Sequence, residues 1–288
     1  FMRNRLTTVS IPPKITSIGD SAFRGNRLTS LAIAPSVKHI GKMAFHGNRL
    51  ESIHIPRGVV SIGEAAFAYN DLKYADIPGN VQTIGKNSFA HNAITYVNIG
   101  DGVKTVGNGA FQSNLITEID MADSVIEIGE NAFRLNSLAF FNTPDSVESI
   151  GDWAFYDNKL NQIKIGNKVK TIGSRAFGVN QLTSILIPDS VTSIGYGAFA
   201  ANFDVRRFEF GQNFIGPLQS ILPGYSDPHG LKNPIKTVII PEDKEYPWVD
   251  HWLPDEAVIR KKESTFNHPP SDISISDLNI DENTAAGS

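Results

Sequence analysis

The chain has 288 residues, 41% of them hydrophobic, and a formal net charge of -4. That balance gives no long-range attraction to phosphate backbones or anionic lipid, so nucleic acid is not an expected partner. Cysteine is absent, which excludes disulfides and thiolate metal sites, and no run of about 18 apolar residues is present to form a membrane-spanning helix.

The chain is repetitive from its first residues. Nine glycines, Gly19, Gly41, Gly63, Gly85, Gly107, Gly129, Gly151, Gly173 and Gly195, stand 22 residues apart, each followed four residues later by Phe and three after that by Asn. A fixed period of this size implies a solenoid, in which every unit forms one coil and buries its apolar side only against its neighbours. Phe1 and Asn4 already occupy the Phe and Asn columns. The chain is therefore expected to begin inside a repeat, as an excerpt, and the lack of a visible secretion signal carries little weight.

One unit averages to LTxIxIPxxVxxIGxxAFxxNx. The LTxIxI segment alternates inward and outward residues, as in Leu31, Ala32 and Ile33, which predicts one strand per coil and a parallel sheet. Pro56, Pro78, Pro144 and Pro188 are predicted to end that strand, since proline lacks a ladder donor. The VxxIG segment reads as a short second strand, after which Gly is predicted to take a backbone conformation that other residues avoid. The AF pair is expected to close the coil through a short helical or 3₁₀ turn. Gly63, Phe67, Asn70, Gly107, Phe111 and Asn114 are expected to serve the repeat alone: Phe as a stacked interior column, Asn as a ladder of amides that pairs buried turn backbone.

Regularity ends at Asn202, so residues 1–202 read as the solenoid and 203–260 as an irregular last repeat with a cap. Asp204 reads as a one-residue insertion that brings Phe208–Phe210 into the strand position, residues 215–233 as a loop dense in Gly and Pro, and Lys236 to Ile240 as a last strand followed by Pro241. Tyr246, Trp248 and Trp252 are expected to cover the last coil, with a ligand pocket as the alternative. Residues 261–288 read as a linker followed by the start of another module, with the linker's charge run opening at Arg260.

Outward strand positions are free to vary, and two columns stand out. One contains Tyr74, Tyr96 and Phe140 and the next contains Asp76, Asn98, Asp120 and Asn142. Exposed aromatics beside amides and carboxylates make a patch that recognises proteins or sugars; the competing reading is cross-strand stacking that merely stabilises the sheet. The seven histidines share no ligand spacing, although Asp227 and His229 with Asp250 and His251 could meet near the cap, and neither a phosphate-binding loop nor a nucleophile motif occurs. No metal site, cofactor or catalysis is expected in this stretch.

The phrases LTSILIPDSVTSIGYGAF (Leu182 to Phe199) and SVKHIGKMAFHGN (Ser36 to Asn48) resemble the BspA-like class of bacterial and protozoan leucine-rich repeats. Members commonly run at 23 residues with Cys near the coil junction, where this chain runs at 22 with Asn. The resemblance implies a right-handed coil and a secreted or surface-displayed protein that binds a protein or carbohydrate on another cell or matrix, without catalysis. The segment Pro269 to Ser288, with its phrase IDENTAAG, resembles the opening strand of a bacterial cadherin-like repeat. That resemblance implies that Glu282 contributes to an inter-domain calcium site in a longer protein, the remaining ligands lying elsewhere. The expected function is an adhesion or interaction module of a large bacterial surface protein, and the alternative is a substrate-recognition segment of a secreted enzyme or toxin.

Overall fold

The two-residue strands carry the repeat as a continuous ladder. Ser17–Ile18, His39–Ile40, Ser61–Ile62, Thr83–Ile84, Thr105–Val106, Glu127–Ile128, Ser149–Ile150, Thr171–Ile172 and Ser193–Ile194 pair in parallel as one nine-stranded sheet. Every pairing is offset by 22 residues, as in Ser17 with His39 and Thr83 with Thr105. The computed structural model describes residues 1–213, 221, 235–241 and 258–262. The longer strands form the opposite wall, split into four parallel ladders: Thr8–Ser10 with Ser30–Ala32; Tyr74–Ile77 with Tyr96–Ile99 and Glu118–Met121; Phe140–Asn142 with Gln162–Lys164; and Ser184–Leu186 with Arg207–Glu209, Thr237–Pro241 and Val258–Lys262.

Between the two walls runs a narrow core. From Phe45 to Phe199 the Phe column is fully buried, with successive rings stacked 5.4 Å apart. Columns of Val, such as Val81, Val103 and Val125, and of Leu or Ile, such as Leu72, Ile94 and Ile116, flank it. At its far end the stack is closed by Phe208, whose ring meets Phe199 edge-on at 6.1 Å. The one-residue insertion is visible here as a pairing offset of 23, Ser184 with Arg207.

The asparagines stitch the coils together. Each Phe carbonyl from Phe23 to Phe177 accepts two side-chain N–H groups, one from the Asn of its own coil and one from the Asn of the next. For Phe111 these come from Asn114 at 3.1 Å and Asn136 at 3.0 Å. The same Asn114 accepts the Ile94 N–H of the preceding coil at 3.1 Å. One amide therefore satisfies backbone groups in two coils where water cannot reach.

Two expectations are corrected. The repeating glycines do not adopt positive φ; that conformation falls two residues later, on Ser21, Met43, Ala65, Asn87, Gly109, Asn131, Trp153, Arg175 and Gly197. Glycine is required instead by close approach, because a Cβ on Gly63 would lie 2.7 Å from the Gly41 carbonyl carbon and one on Gly129 2.6 Å from Asn108 Oδ1. Nor is the AF turn helical. Alternate N–H groups, those of Ser21, Phe23 and Gly25, donate to Lys42, Ala44 and His46 carbonyls of the next coil, so they are not available for a helix. What remains within the coil is a pair of tight turns, Ala22 N–H to Gly19 and Arg24 N–H to Ser21.

The last described strands also shift. The strand read as Lys236 to Ile240 spans Thr237–Pro241, and Arg260 to Lys262, read as the start of a linker, belong to Val258–Lys262. Val258 N–H donates to the Lys236 carbonyl at 2.9 Å, and the open edge of Thr237–Pro241 recruits these residues despite their charge. Tyr246, Trp248, Trp252, Asp227, His229, Asp250, His251, Glu282 and the segment from Pro269 to Ser288 lie outside the described residues.

Candidate functional site

Strand alternation puts the odd-column residues of the longer wall into solvent and locks the even ones inside: in Tyr74–Ile77, Tyr74 and Asp76 are exposed while Ala75 and Ile77 are buried. Parallel pairing with a 22-residue offset then places Tyr74 beside Tyr96 beside Glu118, and Asp76 beside Asn98 beside Asp120. Five of the seven outward residues singled out above are thus brought onto one three-stranded ladder. Phe140 and Asn142 are not, since they sit on the separate ladder that pairs with Gln162 and Lys164. Of these three outward aromatics Phe140 is the most exposed, at 60%, against 46% for Tyr74 and 38% for Tyr96.

Among the described residues the ring contacts fall in the interior column and on the turn ridge, not between Tyr74 and Tyr96. Stacking for its own sake therefore does not explain this pair. Asn98 Nδ2 donates to Asp76 Oδ1 at 2.8 Å, which holds the two planar groups side by side and leaves further donor and acceptor positions on both. Partial burial, and after it the carboxylates of Asp120, Glu118 and Asp76, hold the Tyr96 phenol above its ordinary pKa. Tyr96 is thus a neutral donor throughout the physiological range.

Beyond the C-terminal ends of Tyr74–Ile77 and Tyr96–Ile99 a groove of about 510 Å³ opens, lined by His54, Arg57, Asp76, Asn80, Asn98 and Asp101. Gly79 and Gly100 stand in its lining, Gly79 in a column that otherwise carries Pro, Arg, Asp or Asn. Both are also compelled sterically: a Cβ on Gly79 would collide with the Asp101 carbonyl, and one on Gly100 would lie 2.8 Å from the Ile77 carbonyl oxygen. Arg57, Asn80 and Asp101 were not among the residues singled out from sequence. The local run of glycines in IPGNV and IGDGV was the available signal.

The turn ridge carries two further clusters that coil-by-coil reading passed over. Arg134 and Arg175 lie over the Trp153 ring at 5.2 and 4.7 Å, with Tyr156 edge-on to it at 4.5 Å. Tyr69 stacks on His91 at 4.4 Å and meets the tilted ring of His46 at 5.1 Å. Burial, reinforced at His46 by Arg24, lowers the pKa of both imidazoles. Among the described residues no three His, Asp or Glu side chains converge in a way that could hold a metal ion, and no helix is long and apolar enough to cross a membrane.

Comparison with known proteins agrees with this architecture. The chain is similar to a leucine-rich repeat protein from Eubacterium ventriosum ATCC 27560, at 21% identity and a TM-score of 0.51, over 89% of this chain and 73% of that one. It is also similar, at 20% identity and a TM-score of 0.47, to a leucine rich cell surface protein from Faecalibacterium prausnitzii A2-165, over 91% of this chain and 89% of that one. The pneumococcal vaccine antigen PcpA matches at 14% identity and a TM-score of 0.39, over 89% of this chain and 79% of that one. No curated protein matches the chain. Residues 1–117 and 104–217 match the BspA type leucine rich repeat region, in six copies. With most of its length covered by that match and its coils stacked as parallel-sheet rungs, the chain belongs to the BspA type leucine-rich repeat family.

Proposed function

We propose that this chain is a non-catalytic interaction module of a secreted or cell-surface bacterial protein, and that it binds a protein or glycan through the longer-strand wall. The observation that carries the reading is the ladder of Tyr74, Tyr96, Asp76, Asn98 and Asp120, whose side chains face solvent without stacking on one another while their strand neighbours are fixed in the core. Aromatic rings beside hydrogen-bonding planes supply both the apolar area and the directional contacts that recognition needs. In this reading calcium serves a cadherin-like region through Glu282, and the wall works through its side chains alone.

The test is a double substitution, Tyr74→Ser with Tyr96→Ser, measured for retention on immobilised matrix proteins and on intact host cells. Both rings are partly exposed, so the melting temperature should hold while binding falls more than tenfold. Binding equal to that of the unaltered chain contradicts the assignment of this wall.

A further inference from the structure

Resting on the reading of the longer-strand wall as the contact surface, we infer that the groove beside it is a subsite for an uncharged oligosaccharide. Three observations on the same few coils converge on this ligand. The first is concavity. A recess of about 510 Å³ lies within the size range of small-ligand sites, and its lining includes Gly79 and Gly100, which the backbone of neighbouring coils approaches too closely for a side chain.

The second is hydrogen-bond inventory. Sugar hydroxyls both donate and accept, so a site for them needs acceptors and donors intermixed at short spacing. Here Asp76 and Asp101 accept, Arg57 donates, and Asn98 and Asn80 do both. The 2.8 Å bond from Asn98 to Asp76 fixes two of these groups in advance, which lowers the entropy lost on binding. Tyr74 and Tyr96 precede Asp76 and Asn98 by two residues on the same strand faces, so their partly exposed rings stand one step up the strands from the groove lining, where the apolar C–H face of a further pyranose of the chain would rest.

The third is charge. Asp76 and Asp101 line the recess and Glu118 and Asp120 stand on the next strand, so sialylated or sulfated glycans and acidic peptides meet like charge. The guanidinium of Arg57 lies within the same lining and, with Lys73 next to Tyr74, opposes a cationic peptide. An uncharged, hydroxyl-rich ligand is the class that neither sign repels.

The experiment uses the chain as it stands on a printed panel of neutral oligosaccharides, their sialylated and sulfated counterparts, and Lys- and Arg-rich peptides, followed by calorimetric titration of any bound sugar. The expected result is retention of a subset of neutral glycans, lost more than tenfold in Arg57→Ala and in Asn98→Ala and kept in Gln162→Ala on the neighbouring ladder, with all three variants melting as the parent does. Retention of no neutral glycan, a preference for charged glycans or basic peptides, or equal binding by Arg57→Ala and Asn98→Ala overturns the inference. If those results accompany a tenfold loss of matrix-protein binding in the Tyr74→Ser, Tyr96→Ser variant, the wall remains the contact surface and only the sugar is wrong.

Discussion

Replacing Asn114 with Ala removes a bracket that holds two coils at once. Its Oδ1 accepts the Ile94 N–H at 3.1 Å, and its Nδ2 donates to the carbonyls of Phe89 at 3.0 Å and Phe111 at 3.1 Å. The losses are unequal. Phe89 and Phe111 each keep a second donor, from Asn92 and Asn136, so each forfeits about 0.5–1.5 kcal/mol. The Ile94 N–H has no substitute and is buried, which adds about 1–3 kcal/mol. Asn114→Ala should therefore destabilise the chain by about 2–6 kcal/mol, read by urea unfolding followed by circular dichroism, and the Ile94 amide should lose protection from hydrogen exchange. Asn114→Asp discriminates further, because its carboxylate would face two carbonyls. Folding then raises the pKa of the new acid. Its protonated form is favoured in the fold, so stability is highest at low pH and falls as pH rises from the unfolded value near 4 through the raised folded value. The Asp variant should be less stable than the Ala variant at pH 7 and recover ground toward pH 4. A loss below about 1 kcal/mol for the Ala variant, or an Asp variant that outlasts it at pH 7, refutes the reasoning.

The remaining predictions concern other columns. Gly129→Ala should destabilise by about 2–4 kcal/mol, since its Cβ would press on Asn108 Oδ1 at 2.6 Å and on backbone at 2.8 Å. Gly19→Ala, with nothing within 4 Å, should change stability by less than about 0.5 kcal/mol; equal losses would mean that φ, not contact, dictates glycine. Ser88 sits fully buried in a column otherwise made of Ala, and its hydroxyl has no partner among the described residues. Ser88→Ala should therefore stabilise by about 1–2 kcal/mol in the same unfolding assay. Val179 holds φ 54, a region that β-branched residues avoid, and Val179→Asn should raise stability by about 1 kcal/mol. His46 and His91, both lowered from 6.5 mainly by burial, take up protons more readily unfolded than folded. Stability they protect is full above the unfolded value and lost as pH falls below it. The melting temperature should drop between pH 7.5 and pH 5 more in the parent than in His46→Gln with His91→Gln, and an equal drop contradicts this.

Much of the fold was legible because the interior obeys one spacing. Phe111 and Asn114 can be placed by counting, and so can the pairing of Tyr74 with Tyr96, since any residue 22 positions on must lie beside its predecessor in a stack of equal coils. The insertion at Asp204 was readable for the same reason. Conformation within the turn was not. Glycine at position 63 and an αL residue at Ala65 are both rare choices for a backbone, and composition alone assigns the unusual φ to the glycine. Only the inter-coil distance reveals that Gly63 answers to Gly41. The candidate site was half legible: alternation exposed Tyr74 and Asp76, but the split between Glu118–Met121 and Phe140–Asn142 has no mark in the repeat. Arg57 and Asp101 join the groove from turns whose direction the period does not specify. Val258–Lys262 pairs through its main chain with Thr237–Pro241, and main-chain pairing leaves no trace in a string of Arg and Lys.

The most direct measurement is excision of one whole unit. Removing residues 112–133 deletes 22 residues and rejoins Phe111 to Arg134, which occupies the same column position as Gln112. Stacked coils that touch only their neighbours should close over the gap and give a chain with the parent's β-type circular dichroism and a cooperative melt. Removing residues 112–122 shifts every later residue half a coil out of column and should abolish that melt. Comparable unfolding in both deletions would contradict a solenoid built from interchangeable coils.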